Sequence, residues 1–520
     1  MKIAWKAPLG LLAALVIWGG IAFGQADAAS RTVLYLPLDD RPYSLDRVLE
    51  VAESLDARLL LPPYSFFRGR DGIPDFEGLY GWLAAHRQEG PAVIAADAFL
   101  FGGLVSSRTH DLGEEETIRR LEALRDLASS LPGKPFSLFG TLLRLPRQSE
   151  GILDAGYNAK WAPHLFQLAR LQSAASRGVL EGEDLAASER LLKTVPPEVL
   201  REWANRRNRS LRAALRLLRL YSHEGIGFVG IGLDDNVSPT WLEQEFQSME
   251  RIIADVPTAR AAVVPGVDQL GLLLFGKILL EDKETQKVHP FFPVRPGAAA
   301  NPTYSGFTPR QSLEIQSEVL GVSLAENPWE ADLVLVVNTP AQGWTREASS
   351  SSNRPLPDAE DEALAEKIGS FLEAGKPVAL ADVAFDNGAD NGLMEALRRR
   401  GLLGRLAAYS GGNTSDNAIG LALVTGTLAR WMPASRRKRI LFTRLLDEWG
   451  YQANVRAAVI PRGAFGGQVS PARLEKEIYE KLAAFSGSAL AEFGTVDFEV
   501  SYPWGRLFEI RITGRESAGS

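Results

Sequence analysis

The chain contains no cysteine. That excludes disulfides, thiol nucleophiles, thiolate metal sites and a lipidated N-terminal cysteine. Histidine is scarce as well. The five are His86, His110, His164, His223 and His289, and no two have the His-x-His or His-x-x-x-His spacing that suits zinc. No Gly-x-Ser-x-Gly elbow is present to seat a Ser-His-Asp triad, and no Gly-Lys-Ser/Thr run makes a Walker loop. Positive charge is also short. The formal net charge is −7, and the longest basic run is only Arg436-Arg437-Lys438-Arg439. Nucleic acid is therefore excluded as the main partner.

Long apolar runs are confined to the start. Lys2 and Lys6 precede an apolar stretch from Leu9 to Phe23, and Ala26-Asp27-Ala28 is a small-x-small cleavage site. Residues 1–28 are expected to be a signal peptide, which makes the protein exported: extracytoplasmic or secreted. The alternative is an uncleaved anchor, because the stretch approaches the length of a short membrane span. No later run is long enough for one, so no stable span is expected after cleavage.

The composition is ordinary for a globular protein, with 45% apolar and 23% charged residues. At roughly 100–200 residues per domain, 520 residues make about three domains or one large fold with additions. Apolar, strand-like runs near 33–37, 58–61, 92–96, 136–142, 227–233, 260–266, 288–294, 332–338, 377–382 and 405–409 alternate with helical stretches. Thr117 to Ser130, Leu242 to Asp255 and Ala359 to Ala374 carry apolar residues at three- and four-residue spacing. This alternation predicts an α/β fold of mainly parallel sheets with helices on both faces. Ten strands exceed the eight of a closed barrel. Two α/β halves around a cleft are favoured, with a βα barrel carrying extra units as the alternative. The expected division is an N-terminal α/β domain over 31–285, with a charged helical insertion at 150–224 that reads as a lid or helical hairpin. A second α/β domain covers 286–430. A small α+β extension covers 431–520, with a basic helix, a strand near 455–460 and two alternating strands at Phe498–Tyr502 and Leu507–Ile512.

Polar residues recur at one place, just past the apolar runs. Asp39-Asp40-Arg41 follows the first, and Asp97 the third. Asp234-Asp235-Asn236, Asp268-Gln269, Asn338, Asp382 and Tyr409 leading to Asn413-Thr414 follow later ones. The carboxyl ends of parallel strands form the ligand crevice of such folds, so one shared pocket is expected. Each position also has a plain structural reading. Asp39 or Asp40 and Arg41 can form an ion pair that fastens a turn, and Ser238-Pro239 is a helix start. Asn387, Asn413 and Asn417 border glycines or turns. Arg108 and Arg144 either bind an anionic group or neutralise the aspartates.

An ordered set of motifs adds a resemblance. Leu36-Pro37-Leu38-Asp39-Asp40-Arg41-Pro42, the Phe101-Gly102-Gly103-Leu104 to Arg108 block after Asp97, and Asp234-Asp235-Asn236 resemble a bacterial family catalogued as domain of unknown function 4127. Gly266-Val267-Asp268-Gln269, Asn338-Thr339-Pro340, Tyr409 to Thr414, Tyr451 to Arg456 and Pro503 to Glu509 are similar to its blocks too. The resemblance spans nearly the whole mature chain and brings no activity with it. It implies an acidic residue after the aspartate of the Gly-x-Asp block, where this chain has Gln269.

Carboxylates remain as the plentiful acid–base groups. They point to glycoside hydrolysis by two carboxyl groups. Asp40 and Asp235 are the expected reacting pair, with Asp268 as alternate. Asp39, Arg41, Asp97, Arg108, Arg144, Asp234, Asn236, Gln269, Asn338, Asp382, Tyr409, Asn413 and Thr414 are the expected substrate contacts. Two other readings stay open. One is a non-catalytic binder of a glycan or envelope component. The other is a phosphoester hydrolase using Mg²⁺ or Ca²⁺ on oxygen ligands, although no calcium-loop spacing occurs. Otherwise no cofactor is expected, and the partner is a small molecule or glycan.

Overall fold

The computed structural model describes residues 31–67, 75–131, 133–235, 240–293, 297–459 and 471–515. The expected signal peptide and Asn236 lie outside them.

Six parallel strands form the first sheet: β1 (Thr32–Leu36), β2 (Arg58–Leu60), β3 (Ala92–Ala95), β4 (Phe136–Leu142), β5 (Ile226–Leu233) and β6 (Ala261–Pro265). Their order is β2-β1-β3-β4-β5-β6. Next come β7 (Lys287–Phe291), β8 (Ser323–Leu324), β9 (Leu333–Asn338), β10 (Arg346–Glu347), β11 (Val378–Asp382), β12 (Phe385–Asp386) and β13 (Ala408–Ser410). Five of these make a second parallel sheet in the order β13-β11-β9-β7-β8, and β10 pairs with β12 beside it. Both sheets are open; the described residues form no closed barrel. In each, the second strand sits outside the first and later strands add on the other side. The order therefore reverses between β1 and β3, and again between β7 and β9. Such switch points open a crevice at the carboxyl ends of the strands.

One helical layer joins the sheets. Leu270–Leu280 lies against β3 and β4, Pro309–Leu320 against β6, and Ser415–Leu428 against β9, β11 and β13. The three also touch one another. Ser415–Leu428 is buried on every side, as a helix covered by sheets and helices must be. A continuous apolar core runs from Val33 and Ile94 through Leu273 to Val337 and Leu423.

Residues 150–224 contain three helices, Asn158–Ser176, Gly182–Thr194 and Pro197–Arg219. The last lies along β4 and β5 as their crossover helix, while the first lies on helix Trp241–Ile253. Near the C-terminus helix replaces the expected strand at 455–460 over its described residues, 455–459. Leu445–Val455 is wound as a π-helix and Arg456–Val459 continues it as α-helix. The apolar residues there face a separate core around Leu446, Tyr451 and Ile478, so helical burial overrides the local β-like pattern. The described residues end in an antiparallel pair, β14 (Asp497–Ser501) and β15 (Arg511–Arg515). Among the described residues no helix is long and apolar enough to cross a membrane.

Candidate active site

The loops after β1, β4, β5, β6 and β13 and the segment before β15 meet around a cavity of about 480 Å³. Two local devices shape its floor. Gly266 takes φ +79°, and a Cβ there would stand 2.7 Å from Asn417 Oδ1. The absence of that carbon lets Asn417 Oδ1 accept from the Val267 and Asp268 amides, each at 3.0 Å. A residue of the helix behind the second sheet thus fixes Asp268 at the end of the first. Gly103, at φ +130°, would bring a Cβ to 3.0 Å from the Leu38 carbonyl. It allows the Arg108-bearing helix to sit against the loop after β1.

Guanidinium–carboxylate pairs line the cavity. Arg41 Nη2 donates to Asp268 Oδ1 at 2.7 Å, and Arg41 Nε to Asp39 Oδ2 at 2.9 Å. Asn413 Nδ2 also donates to Asp268 Oδ2. Burial works against the Arg41 charge, but Asp268, Asp39 and Glu509 outweigh it and raise its pKa. Arg108 pairs with Asp234. Arg144 Nη1 donates to Asp235 at 2.8 Å, while its Nε and Nη2 grip Asp154 at 2.9 and 2.8 Å. Burial pushes Asp154 up, yet Arg144 and Arg108 bring it down to about 2. Asp235 behaves oppositely. Burial and the neighbouring Asp234 raise its carboxyl to about 6 against the pull of Arg144. Its backbone is left-handed, at φ +44°, and its side chain keeps 22% exposure.

The cavity thus collects Arg41, Arg108, Arg144, Asp234, Asp235, Asp268, Asn413 and Thr414 from the expected set, along with Asn387. Other expected residues are placed elsewhere. Asp40 does not line it: Trp504 Nε1 donates to its Oδ1 at 2.6 Å and Tyr64 takes its Oδ2. Asp39 lies behind Arg41, with its carboxyl raised by burial despite that arginine. Asp97 borders a separate small void with Thr141 and His110, and burial raises it to about 7. Gln269 is fully buried, giving Nε2 to the Pro265 carbonyl at 2.6 Å and to Gln316 at 3.1 Å. Asn338, Asp382 and Tyr409 form another interior network. Asn338 Nδ2 reaches Asp382 at 2.9 Å and Asp390 at 3.3 Å, and the Tyr409 hydroxyl reaches Asp382 at 3.4 Å.

Sequence reasoning missed one wall entirely. Trp504, Arg506, Phe508 and Glu509 line the cavity from the loop before β15. The Arg41 guanidinium lies 5.2 Å from the centre of the Trp504 ring. The Pro503-to-Glu509 block was the available signal, but its spacing from the other motifs gave no hint of contact. Tyr304 adds another ring, with its hydroxyl 2.9 Å from Glu347. No group of three or more His, Cys, Asp or Glu among the described residues is arranged to hold a metal ion.

Fold and site together define an open, doubly wound α/β protein with a polar cavity at the carboxyl ends of its strands. The chain belongs to the family described as protein of unknown function (DUF4127), whose model matches residues 33–513. No curated protein and no solved structure matches it.

Proposed function

We propose that this protein is an exported carbohydrate-active hydrolase that cleaves a glycosidic bond in an envelope or extracellular polysaccharide. The supporting observation is the contrast between two carboxyl groups on one cavity. Asp235 is raised to about 6 by burial and Asp234, whereas Asp268 is forked by Arg41 and Asn413. Glycoside hydrolysis needs such a pair, one carboxyl holding a proton and the other charged. In this reading Asp235 gives its proton to the leaving oxygen as the C–O bond breaks. The Asp268 carboxylate faces the positive charge that develops at the anomeric carbon; water then supplies the new hydroxyl, and the proton it loses returns Asp235 to its acid form. Trp504, Tyr304 and Phe508 put three aromatic side chains on the cavity wall, apolar surface of the kind that suits sugar C–H groups. Asp268, which lines the cavity, takes the place of Asp40, which does not.

One observation favours the binder alternative. Asp234, Asp235 and Asp268 are each already paired with an arginine, which weakens a carboxylate as a base. The test is a panel of polysaccharides incubated with the purified protein, with released reducing ends measured. Cleavage lost in Asp235→Asn supports the hydrolase. Retention of a glycan without cleavage supports the binder. Release of phosphate from phosphoesters, abolished by chelator, replaces both.

A further inference from the structure

An arginine carries a planar edge, Nε with Nη2, that matches the two oxygens of a carboxylate. Elsewhere in this protein that edge is filled. Arg144 sets it on Asp154 at 2.9 and 2.8 Å, and Arg207 sets it on Glu245. Arg41 gives Nε to Asp39 and Nη2 to Asp39 and Asp268. Arg506 differs. Its Nη1 donates to Glu509 Oε1 at 2.9 Å, while its Nε and Nη2 bond no described residue. Its side chain lines the cavity and is 28% exposed, against 18%, 9% and 4% for Arg144, Arg41 and Arg108, so solvent reaches it most freely of the four. Burial lowers the Arg506 pKa against the support of Glu509 and Glu150, and the charges of Arg41 and Arg144 lower it further. A second anion at the open edge offsets that cost. Arg147, on the same wall, has no carboxylate partner among the described residues either; its guanidinium lies 5.2 Å from the centre of the Phe166 ring. The wall's carboxylates do not oppose an incoming anion in full, because Asp234, Asp235 and Asp268 are each held by an arginine.

We propose that the cavity takes an anionic saccharide, with the carboxylate or phosphate oxygens of the sugar seated on the Nε–Nη2 edge of Arg506. The proposal rests on the carbohydrate reading for the sugar, and adds the charge of the ligand and the residue that selects it. Arg108 and Arg144, the arginines expected from the sequence as anion binders, are taken up by Asp234 and by Asp154 with Asp235. Arg506 does that work from the C-terminal segment. A neutral polymer has no group to fill the edge, so Arg506 separates acidic from neutral chains.

The test is calorimetric titration of the full-length protein at pH 6 and low salt. The probes are tetragalacturonate, a hyaluronan tetrasaccharide, mannose 6-phosphate, mannose, cellotetraose and chitotetraose. An acidic sugar is expected to bind at least about tenfold more tightly than its neutral counterparts. Preference for the uronates assigns a carboxylate, and preference for mannose 6-phosphate over mannose assigns a phosphate. Neutral sugars bound as tightly as acidic ones overturn the proposal and leave the carbohydrate reading standing. If the wild type binds none of the probes, both fall. Two variants, checked for folding by near-UV circular dichroism, locate the effect. Arg506→Gln removes the charge and the edge, and its affinity for the acidic sugar falls at least about tenfold. Arg506→Lys keeps a charge beside Glu509 and loses only the planar edge, so it decides the matter should the glutamine variant fail to fold. Its affinity is expected to fall about threefold or more. Wild-type affinity for the acidic sugar in either folded variant overturns the role of Arg506.

Discussion

Arg41 and Asp268 are separated by 227 residues and meet at 2.7 Å. One follows β1 and the other β6, so this contact bridges the crevice across the three strands between them, β3, β4 and β5. Both side chains are more than nine-tenths buried. Their geometry is a fork, with Arg41 Nη1 also within 3.4 Å of Asp268 Oδ2. Lysine cannot reproduce a planar fork that also reaches Asp39.

The first prediction follows from that burial. Arg41→Ala leaves Asp39 and Asp268 without their cation. Removing one partner of a buried pair costs about 3–5 kcal/mol, because the other charge stays behind. Urea denaturation of the variant checks this. A loss under about 1 kcal/mol, the range of exposed pairs, shows that water reaches the site freely.

Asp235 carries the second. In the proposed reaction Asp235→Asn preserves shape and removes the proton donor, so the glycan cleavage rate is expected to fall by about 10²–10⁴-fold. Asp40→Asn, placed off the cavity, keeps activity within a few-fold of wild type. In the wild type the cleavage rate falls as pH rises through about 6, where Asp235 loses its proton. Full activity in Asp235→Asn removes it from the chemistry.

Much of this site was legible in the sequence, and the reason is topological. Polar residues after apolar parallel strands had to collect at one end of each sheet, and Asp234, Asp235, Asp268 and Asn413 do so. Two things were hidden. Adjacent residues at a strand end point to opposite sides, so choosing between Asp39 and Asp40 required knowing their partners. Those of Asp40 lie 24 and 464 residues away, at Tyr64 and Trp504. The ends of the second sheet also mattered less than expected. Asp382 turns to the amide of Asp390 at 2.8 Å, a bond decided by the loop after β12. Gln269 stands where the family resemblance implies an acid, yet it faces Gln316 in the interior.

Interior carboxyls give a third prediction. Burial raises Asp97 to about 7, Asp382 to about 6, Asp386 to about 8, Asp390 to about 7 and Glu448 to about 7. Their unperturbed values are 3.8 for aspartate and 4.5 for glutamate. Between those values and the raised ones, the folded state binds more protons than the unfolded state. Stability from these groups is full at the acid end and is lost as pH rises through about 6 to 8. His110, lowered to about 4 by burial, works the other way below its unperturbed 6.5, as one group against several. The melting temperature is therefore expected to be higher at pH 5 than at pH 8. Asp97→Asn narrows the gap by raising the value at pH 8. A melting temperature that climbs from pH 5 to pH 8 contradicts the assignment.

Asn413 supplies the fourth, and separates backbone from side chain. Its φ is +66°, a region that glycine and asparagine tolerate best. Its Nδ2 holds Asp268, its Oδ1 accepts from the Thr414 amide at 3.0 Å, and its carbonyl accepts from the Asn387 amide at 2.8 Å. Asn413→Gly keeps the backbone and loses the side-chain bonds, at a cost of about 1–2 kcal/mol. Asn413→Ala loses the same bonds and adds left-handed strain of about 1–2 kcal/mol, so it is the less stable of the two. Asn413→Asp keeps the conformation but sets a second carboxylate against Asp268. It is destabilised at pH 7 and recovers toward pH 4, where one of the two is protonated. Urea melts of the three variants at both pH values measure each contribution. If alanine and glycine are equal, the turn relaxes freely and Asp268 is held from the first sheet alone. If alanine is worse, the turn after β13 is rigid, and the second half of the molecule positions the carboxylate of the first.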